Sequence, residues 1–153
     1  MATTKGFSVQ QQRDIRSDIV QKYNEINTKL NEENVRESRD VFIEKFILCE
    51  TLYKIVLKKY LVINNKYTSD GDMKIQIKQV KAALKKAGYT VDDDLMDRLF
   101  SGTGIFSQRG SKSARLLRNG IEHEMNVKDL QEVVDRYQNL VSDMDTFLTW
   151  IQL

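Results

Sequence analysis

No proline occurs anywhere in the 153 residues of this sequence. A proline ring removes a backbone hydrogen bond and clashes with the preceding turn, so it breaks the interior of a helix. The absence of proline is therefore typical of a chain made mostly of long helices. The length suits one domain with a real buried core. We predict a single all-α domain over residues 1–153, built as a bundle of four or five main helices.

Apolar residues recur at helical spacing through the first half of the chain. The first pattern, over residues 8–30, predicts an amphipathic helix whose apolar face joins the bundle. Its stripe comprises Ile15, Ile19, Tyr23, Ile26 and Leu30. The second pattern, over residues 35–63, has the broadest stripe and predicts the most buried helix. The third, over residues 72–87, is followed by Gly88, which favours a C-terminal cap.

The second half of the chain has shorter patterns and one irregular stretch, residues 101–110. Thr90 is predicted to cap a short helix, and Ser111 is predicted to cap the helix that follows the irregular stretch. Asn126 is predicted to begin one last helix. Four of its apolar residues lie outside the stripe that is predicted to face the core, and we predict that they form a subunit interface. They are Val133, Leu140, Phe147 and Trp150.

Composition excludes several classes of protein. Charged residues make up 30% and hydrophobic residues 41%, which is typical of a soluble globular protein. One cysteine allows no internal disulfide, and one histidine gives no zinc cluster. The most apolar window, residues 41–63, is interrupted by charges and cannot span a bilayer. We therefore predict a cytoplasmic protein that binds no membrane, metal or other cofactor.

The candidate site is the segment that contains Arg118, Asn119 and His123, the only histidine in the chain. Histidine exchanges a proton near neutral pH, and the planar fork of arginine suits a phosphate group. Asn119 and His123 are four residues apart, so on a helix the amide can orient the imidazole. One such helix supplies one arginine and one histidine. Two copies across a two-fold axis would supply two of each, so the spacing favours a homodimer.

Positive charge is concentrated just before and within this segment. Residues 98–121 contain no acidic residue and five basic ones. Lys112 and Arg115 are three apart and Arg118 follows at the same spacing, so on a helix they form one ridge. Such a ridge can hold a phosphate backbone. We predict that Arg109, Lys112 and Arg115 bind a phosphate backbone such as that of RNA, although the net charge of +2 alone does not mark a nucleic-acid-binding protein.

Arg118-Asn119-x-x-x-His123, preceded by Leu116-Leu117, resembles the signature of the HEPN superfamily (higher eukaryotes and prokaryotes nucleotide-binding domain). The resemblance implies an all-α bundle with the motif on a late helix. It also implies a metal-independent endoribonuclease, often a toxin or antiviral effector, whose composite site lies at a homodimer interface. His123 would then handle the proton, Arg118 would stabilise charge on the phosphate, and Asn119 would orient one of its oxygens.

Two other interpretations stay open. Glu122 and Glu124, which flank the histidine, favour a catalytically inactive HEPN-like module that binds a protein partner, for example a nucleotidyltransferase-like antitoxin. The motif could also be a chance match in an unrelated helical bundle. Glu50 poses a smaller question. It is either a polar group near the site or an edge residue paired with Lys54 at helical spacing, and we favour the pairing with Lys54.

Overall fold

The computed structural model describes residues 6–73, 75–102 and 112–152, and these residues form helices with no strand among them. The prediction of an all-α fold is confirmed. In chain order the helices are α1 (Val9–Leu30), α2 (Val35–Ile63), α3 (Ile77–Lys86), α4 (Asp93–Phe100), α5 (Ala114–Glu124), α6 (Val127–Asp135) and α7 (Tyr137–Ile151). None of them has the length and apolar character that crossing a bilayer requires.

Several helix ends follow from local sequence. Ser8 caps α1, because its hydroxyl accepts from the Gln11 backbone N–H at 3.1 Å while the Gln11 side chain accepts from the Ser8 backbone N–H at 2.9 Å. Gly88 follows α3 with a φ of 97°, a left-handed conformation that glycine adopts without strain. The cap of α4 is Asp92 and not the predicted Thr90.

The start of α3 and the division of the last helix differ from the predictions. A turn in which Ser69 accepts from the backbone of Asp72 at 3.2 Å precedes α3, so the helix begins at Ile77. Asn126 begins α6 as predicted, with its side chain accepting from the Asp129 backbone N–H. The helix then ends at Asp135, and Arg136, with a φ of −105° and a ψ of 13°, separates α6 from α7.

α2 lies at the centre of the bundle and packs against α3, α6 and α7. Six residues of its predicted stripe are buried, whereas three are half-buried and Ile47 is exposed. The buried ones are Phe42, Phe46, Cys49, Tyr53, Leu57 and Leu61. Two of its rings, Phe46 and Tyr53, pack on Phe100 of α4 with centroid distances of 5.8 and 4.9 Å. Phe147 of α7 lies 5.0 Å from Phe100 on another side. Phe100 is therefore the hub of an aromatic cluster that joins three helices.

The predicted interface on the last helix is wrong. Val133, Leu140 and Phe147 are buried in the chain's own core, at 1%, 2% and 0% exposed. Trp150 is half-buried and donates from its ring N–H to the Thr90 carbonyl at 3.1 Å. The break at Arg136 gives α6 and α7 separate directions, so apolar residues that would cover two faces of one continuous helix can all reach the core.

α1 forms the predicted helix but joins the bundle only through its last turns. Every residue from Gly6 to Glu25 is exposed, whereas Leu30 is buried and Ile26 is half-buried. Lys29 anchors this end by donating to Glu32 at 2.7 Å and to Gln131 of α6. Toward the N-terminus of Ile26, the apolar stripe on α1 has no neighbour in the described part of the chain.

Candidate functional site

The motif lies on α5, a short helix fixed at both ends. Ser113 caps it, since its hydroxyl accepts from the Leu116 backbone N–H at 3.2 Å and donates to the Ser101 carbonyl at 2.5 Å. The predicted cap, Ser111, lies outside the described residues. Met125 ends the helix in a left-handed conformation with a φ of 48°. The sequence placed the motif on a helix correctly, although the cap is two residues later than predicted.

Arg118 is held by two carboxylates and a ring. One arm of its guanidinium lies 2.9 Å from Glu50 of α2, and the other lies 3.3 Å from Glu122, one turn along α5. The guanidinium carbon is 4.9 Å from the centre of the Phe46 ring, which is a cation–π distance. The Arg118 and Glu50 side chains are 16% and 10% exposed. The geometry fixes the position of this arginine at the edge of the bundle.

Glu50 is both a polar group near the motif and a partner of Lys54, the two roles that the sequence left open. Lys54 lies 3.8 Å away at the predicted helical spacing, but Arg118 is the closer partner. The Tyr53 hydroxyl donates to the other oxygen of Glu50 at 3.5 Å. Burial, and then the negative charge of Glu50, raise the pKa of Tyr53 well above its usual range. The phenol therefore stays a neutral donor, and Glu50 is a structural partner of the motif arginine.

The side chains of Asn119 and His123 are held by fewer contacts than that of Arg118. His123 is exposed in the last turn of α5, and Asn119 is half-buried on the same helix. Neither side chain forms a hydrogen bond with any described residue, so the predicted contact between the amide and the imidazole is not formed here. The structure therefore combines a fixed arginine with an exposed histidine, five positions apart on one helix.

The basic residues predicted to bind RNA have internal partners where they are described. Lys112 lies 2.8 Å from the buried carboxylate of Asp129, and Arg115 donates to the Ile75 carbonyl at 3.2 Å. Arg109 lies outside the described residues. These contacts place Lys112 and Arg115 against the bundle. A phosphate backbone would have to share or displace those contacts in order to use the two side chains.

Gly120, inside the motif, is required by the packing of α5 against α6. A Cβ atom on this residue would lie 3.0 Å from the carboxyl carbon of Asp129 and closer still to one of its oxygens. Asp129 has little room to retreat, because it is 2% exposed and held by Lys112. The motif glycine thus lets a buried acid of α6 approach the backbone of α5.

Replacing Gly120 with alanine is expected to lower the free energy of unfolding by about 1–3 kcal/mol, the usual cost of overpacking. Alanine favours a helix over glycine by about 1 kcal/mol, which offsets only part of that cost. Urea unfolding followed by circular dichroism measures the change. Gly71→Ala is the matched control, because a Cβ atom there meets nothing within 4 Å. Equal stability of both variants would contradict the close approach.

Comparisons with known proteins give no relative for this chain. No family model matches the sequence, and no significant similarity to a curated protein or to a solved structure is found. The resemblance to the HEPN superfamily therefore rests on the motif residues Arg118, Asn119 and His123, and it stays a prediction.

Proposed function

We propose that this chain is a HEPN-like, metal-independent endoribonuclease whose site is completed by a second copy. The observation that carries the proposal is the fixed position of Arg118. Glu50 and the Phe46 ring hold the guanidinium at the edge of the bundle, on the same short helix as the exposed His123. A cation held in place before the reaction stabilises developing charge without reorganising at the moment of reaction.

The proposed chemistry uses only groups that RNA and this motif supply. The 2′-hydroxyl of a ribose attacks the adjacent phosphorus, so a new O2′–P bond forms and the P–O5′ bond breaks. The products are a 2′,3′-cyclic phosphate and a 5′-hydroxyl. One His123 removes the proton from the 2′-hydroxyl, and the second copy's histidine donates a proton to the leaving oxygen. Arg118 binds the non-bridging oxygens, and Asn119 orients one of them.

The contact between Arg118 and Glu122 is the one that a phosphate would replace. Its distance is 3.3 Å, and the Glu122 side chain is 38% exposed. Ion pairs at this spacing on the surface of a helix contribute only about 0.3–0.5 kcal/mol. The contact with Glu50 is shorter and better buried. In the proposed complex Glu50 therefore remains bound to Arg118 and acts as a positioning residue, while the arm released from Glu122 meets the phosphate.

We expect the purified protein to cleave single-stranded RNA in the presence of a chelator and to leave cyclic phosphate ends. His123→Ala should slow cleavage by about 10²–10⁴-fold, the usual contribution of general acid–base catalysis. Helicity and the urea midpoint should not change, because His123 is exposed and without a described hydrogen bond. Lys128→Ala, another exposed change close by in α6, is the matched control. Undiminished cleavage by His123→Ala would contradict the assignment.

A second candidate function has its own supporting observation. Both arms of Arg118 face carboxylates, and Lys112 and Arg115 also have internal partners. A surface whose cations are already paired suits a catalytically inactive module that binds a protein, for example a nucleotidyltransferase-like antitoxin. The two candidates differ in one result. If the wild-type protein cleaves no RNA at low salt but binds such a partner tightly, this second function replaces the first.

A further inference from the structure

The apolar stripe of α1 continues from the bundle into solvent. At its C-terminal end Leu30 and Ile26 pack against the chain's own core. Further toward the N-terminus, Ile19 and Tyr23 are 61% and 66% exposed, and Ile15 is 36% exposed. All five residues lie on one side of the helix, since their spacing follows the helical repeat. A face that packs at one end of a helix is thus left uncovered over the other turns.

The uncovered area is large for a chain of this size. Six apolar residues between Gly6 and Glu25 are exposed: Phe7, Val9, Ile15, Ile19, Val20 and Tyr23. Ile15, Ile19 and Tyr23 lie on the stripe, Val9 and Val20 lie roughly 80–100° from Ile19 on one side of it, and Phe7 precedes the helix. The stripe and its flank leave on the order of 500 Å² in solvent, so two copies that cover each other would bury at most about 1,000 Å², the lower limit for a specific interface. The area therefore fits a pair of identical chains.

We propose that α1 pairs in an antiparallel arrangement with α1 of a second copy, about a two-fold axis near Ile19. In this register Ile19 faces its own symmetry mate, and Ile15 faces Tyr23. The flanking positions also match. Asp18 of one copy comes beside Lys22 of the other, and Arg16 comes beside the Tyr23 ring, a cation–π arrangement. Each of these contacts occurs twice, as a two-fold interface requires.

The charges on α1 favour an identical copy over a polyanion or a lipid surface. Between Val9 and Glu25, α1 carries three basic and three acidic residues, so this part of the helix has no net charge. They are Arg13, Arg16, Lys22, Asp14, Asp18 and Glu25. Nucleic acid and anionic membranes select an excess of positive charge. An antiparallel arrangement also keeps the two bundles at opposite ends of the helix pair, because only the C-terminal end of α1 contacts its own bundle.

The pairing does not rest on the proposed ribonuclease activity. It uses no atom of Arg118, Asn119 or His123, and it predicts self-association whether or not the protein cleaves RNA. The predicted interface on the last helix is buried within one chain, so it does not compete with α1 for a second copy. A protein that forms the α1 pair but cleaves nothing would count against the ribonuclease proposal alone.

Chemical cross-linking tests the axis directly. Ile19→Cys should join two copies when a short bifunctional maleimide is added, because the two thiols face each other across the axis. Ser17→Cys is the matched control, since Ser17 is also exposed but points roughly 160° away around the helix. The native Cys49 should not react, because burial raises the pKa of its thiol to about 12. Equal cross-linking of the two variants, or none in Ile19→Cys, would overturn the proposal.

Sedimentation velocity at micromolar concentrations supplies the second measurement. The wild-type chain should sediment as a dimer of the 17.8 kDa protomer. Ile19→Glu should raise the dimer Kd by about 100-fold, since it places two carboxylates face to face, while Ser17→Glu should stay dimeric. Asp18→Lys alone should weaken the dimer, and adding Lys22→Asp should restore it. A monomeric wild type, an unchanged Kd in Ile19→Glu, or no recovery in the double variant would each overturn the antiparallel pairing.

Discussion

Replacing Glu50 with alanine should lower the free energy of unfolding by about 3 kcal/mol, because it leaves a charged group without its buried partner. Arg118 is only 16% exposed, and its second partner, Glu122, is more exposed than Glu50, at 38% against 10%. The Nε atom of Arg118 is already buried without a hydrogen bond among the described residues. The arginine therefore depends on Glu50 more than on any other described group. Urea unfolding measures the loss.

Two comparisons separate the buried pair from ordinary surface charge. Lys54→Ala removes the outer, 3.8 Å partner of Glu50 and should cost less than about 0.5 kcal/mol. Replacing both Glu50 and Arg118 by leucine should recover most of the loss, because two apolar groups leave no unpaired charge. If Glu50→Ala cost no more than Lys54→Ala, the pair would not be what holds the motif arginine.

Loss of the Glu50 carboxylate also bears on the proposed chemistry. Without Glu50 the guanidinium would rest on the Phe46 ring and on Glu122, so it would lean toward the exposed side of α5. A misplaced cation contributes less to a transition state than one already in position. In a cleaving protein, Glu50→Gln should therefore reduce the rate while keeping the shape of the side chain. In a binding module it should change stability and leave RNA untouched.

Long helices with a sustained apolar stripe, and helix caps set by nearby residues, could be predicted from the sequence. The bounds of α2 agree with the prediction because its apolar stripe is sustained over 29 residues, which averages out individual exceptions. Gly88 and Asn126 were predictable for another reason, since a left-handed turn and an N-cap depend on residues close by in the chain. The helical placement of Arg118, Asn119 and His123 followed in the same way.

The features that the sequence did not predict depend on contacts between residues far apart in the chain. Helical spacing reveals Lys54 as a partner of Glu50, but it says nothing about Arg118, which comes from another helix. Periodicity also shows that α1 has an apolar face without showing what covers it. The division at Arg136 has no proline or glycine to mark it. In each case the feature depends on how the helices pack against one another, which helical periodicity within one segment does not reveal.

Replacing Phe100 with alanine is expected to have the largest effect on stability, a loss of about 3–5 kcal/mol, as for other buried aromatic residues. Its ring is 1% exposed and touches rings from two other helices, Phe46 and Tyr53 of α2 and Phe147 of α7. Removing it would leave a cavity that three helices cannot easily close. Phe7→Ala is the matched control, since Phe7 is 67% exposed in the single chain.

The Phe100 variant also tests how the core supports the site. Phe46 lies between Phe100 and Arg118, with its ring 5.8 Å from the first and 4.9 Å from the second. A cavity beneath Phe46 should let that ring move, and Arg118 would lose part of the surface on which it is fixed. Phe100→Leu should cost less stability than alanine because it fills more of the space. If both variants unfolded at the wild-type urea midpoint, the aromatic cluster would not be what joins α2, α4 and α7.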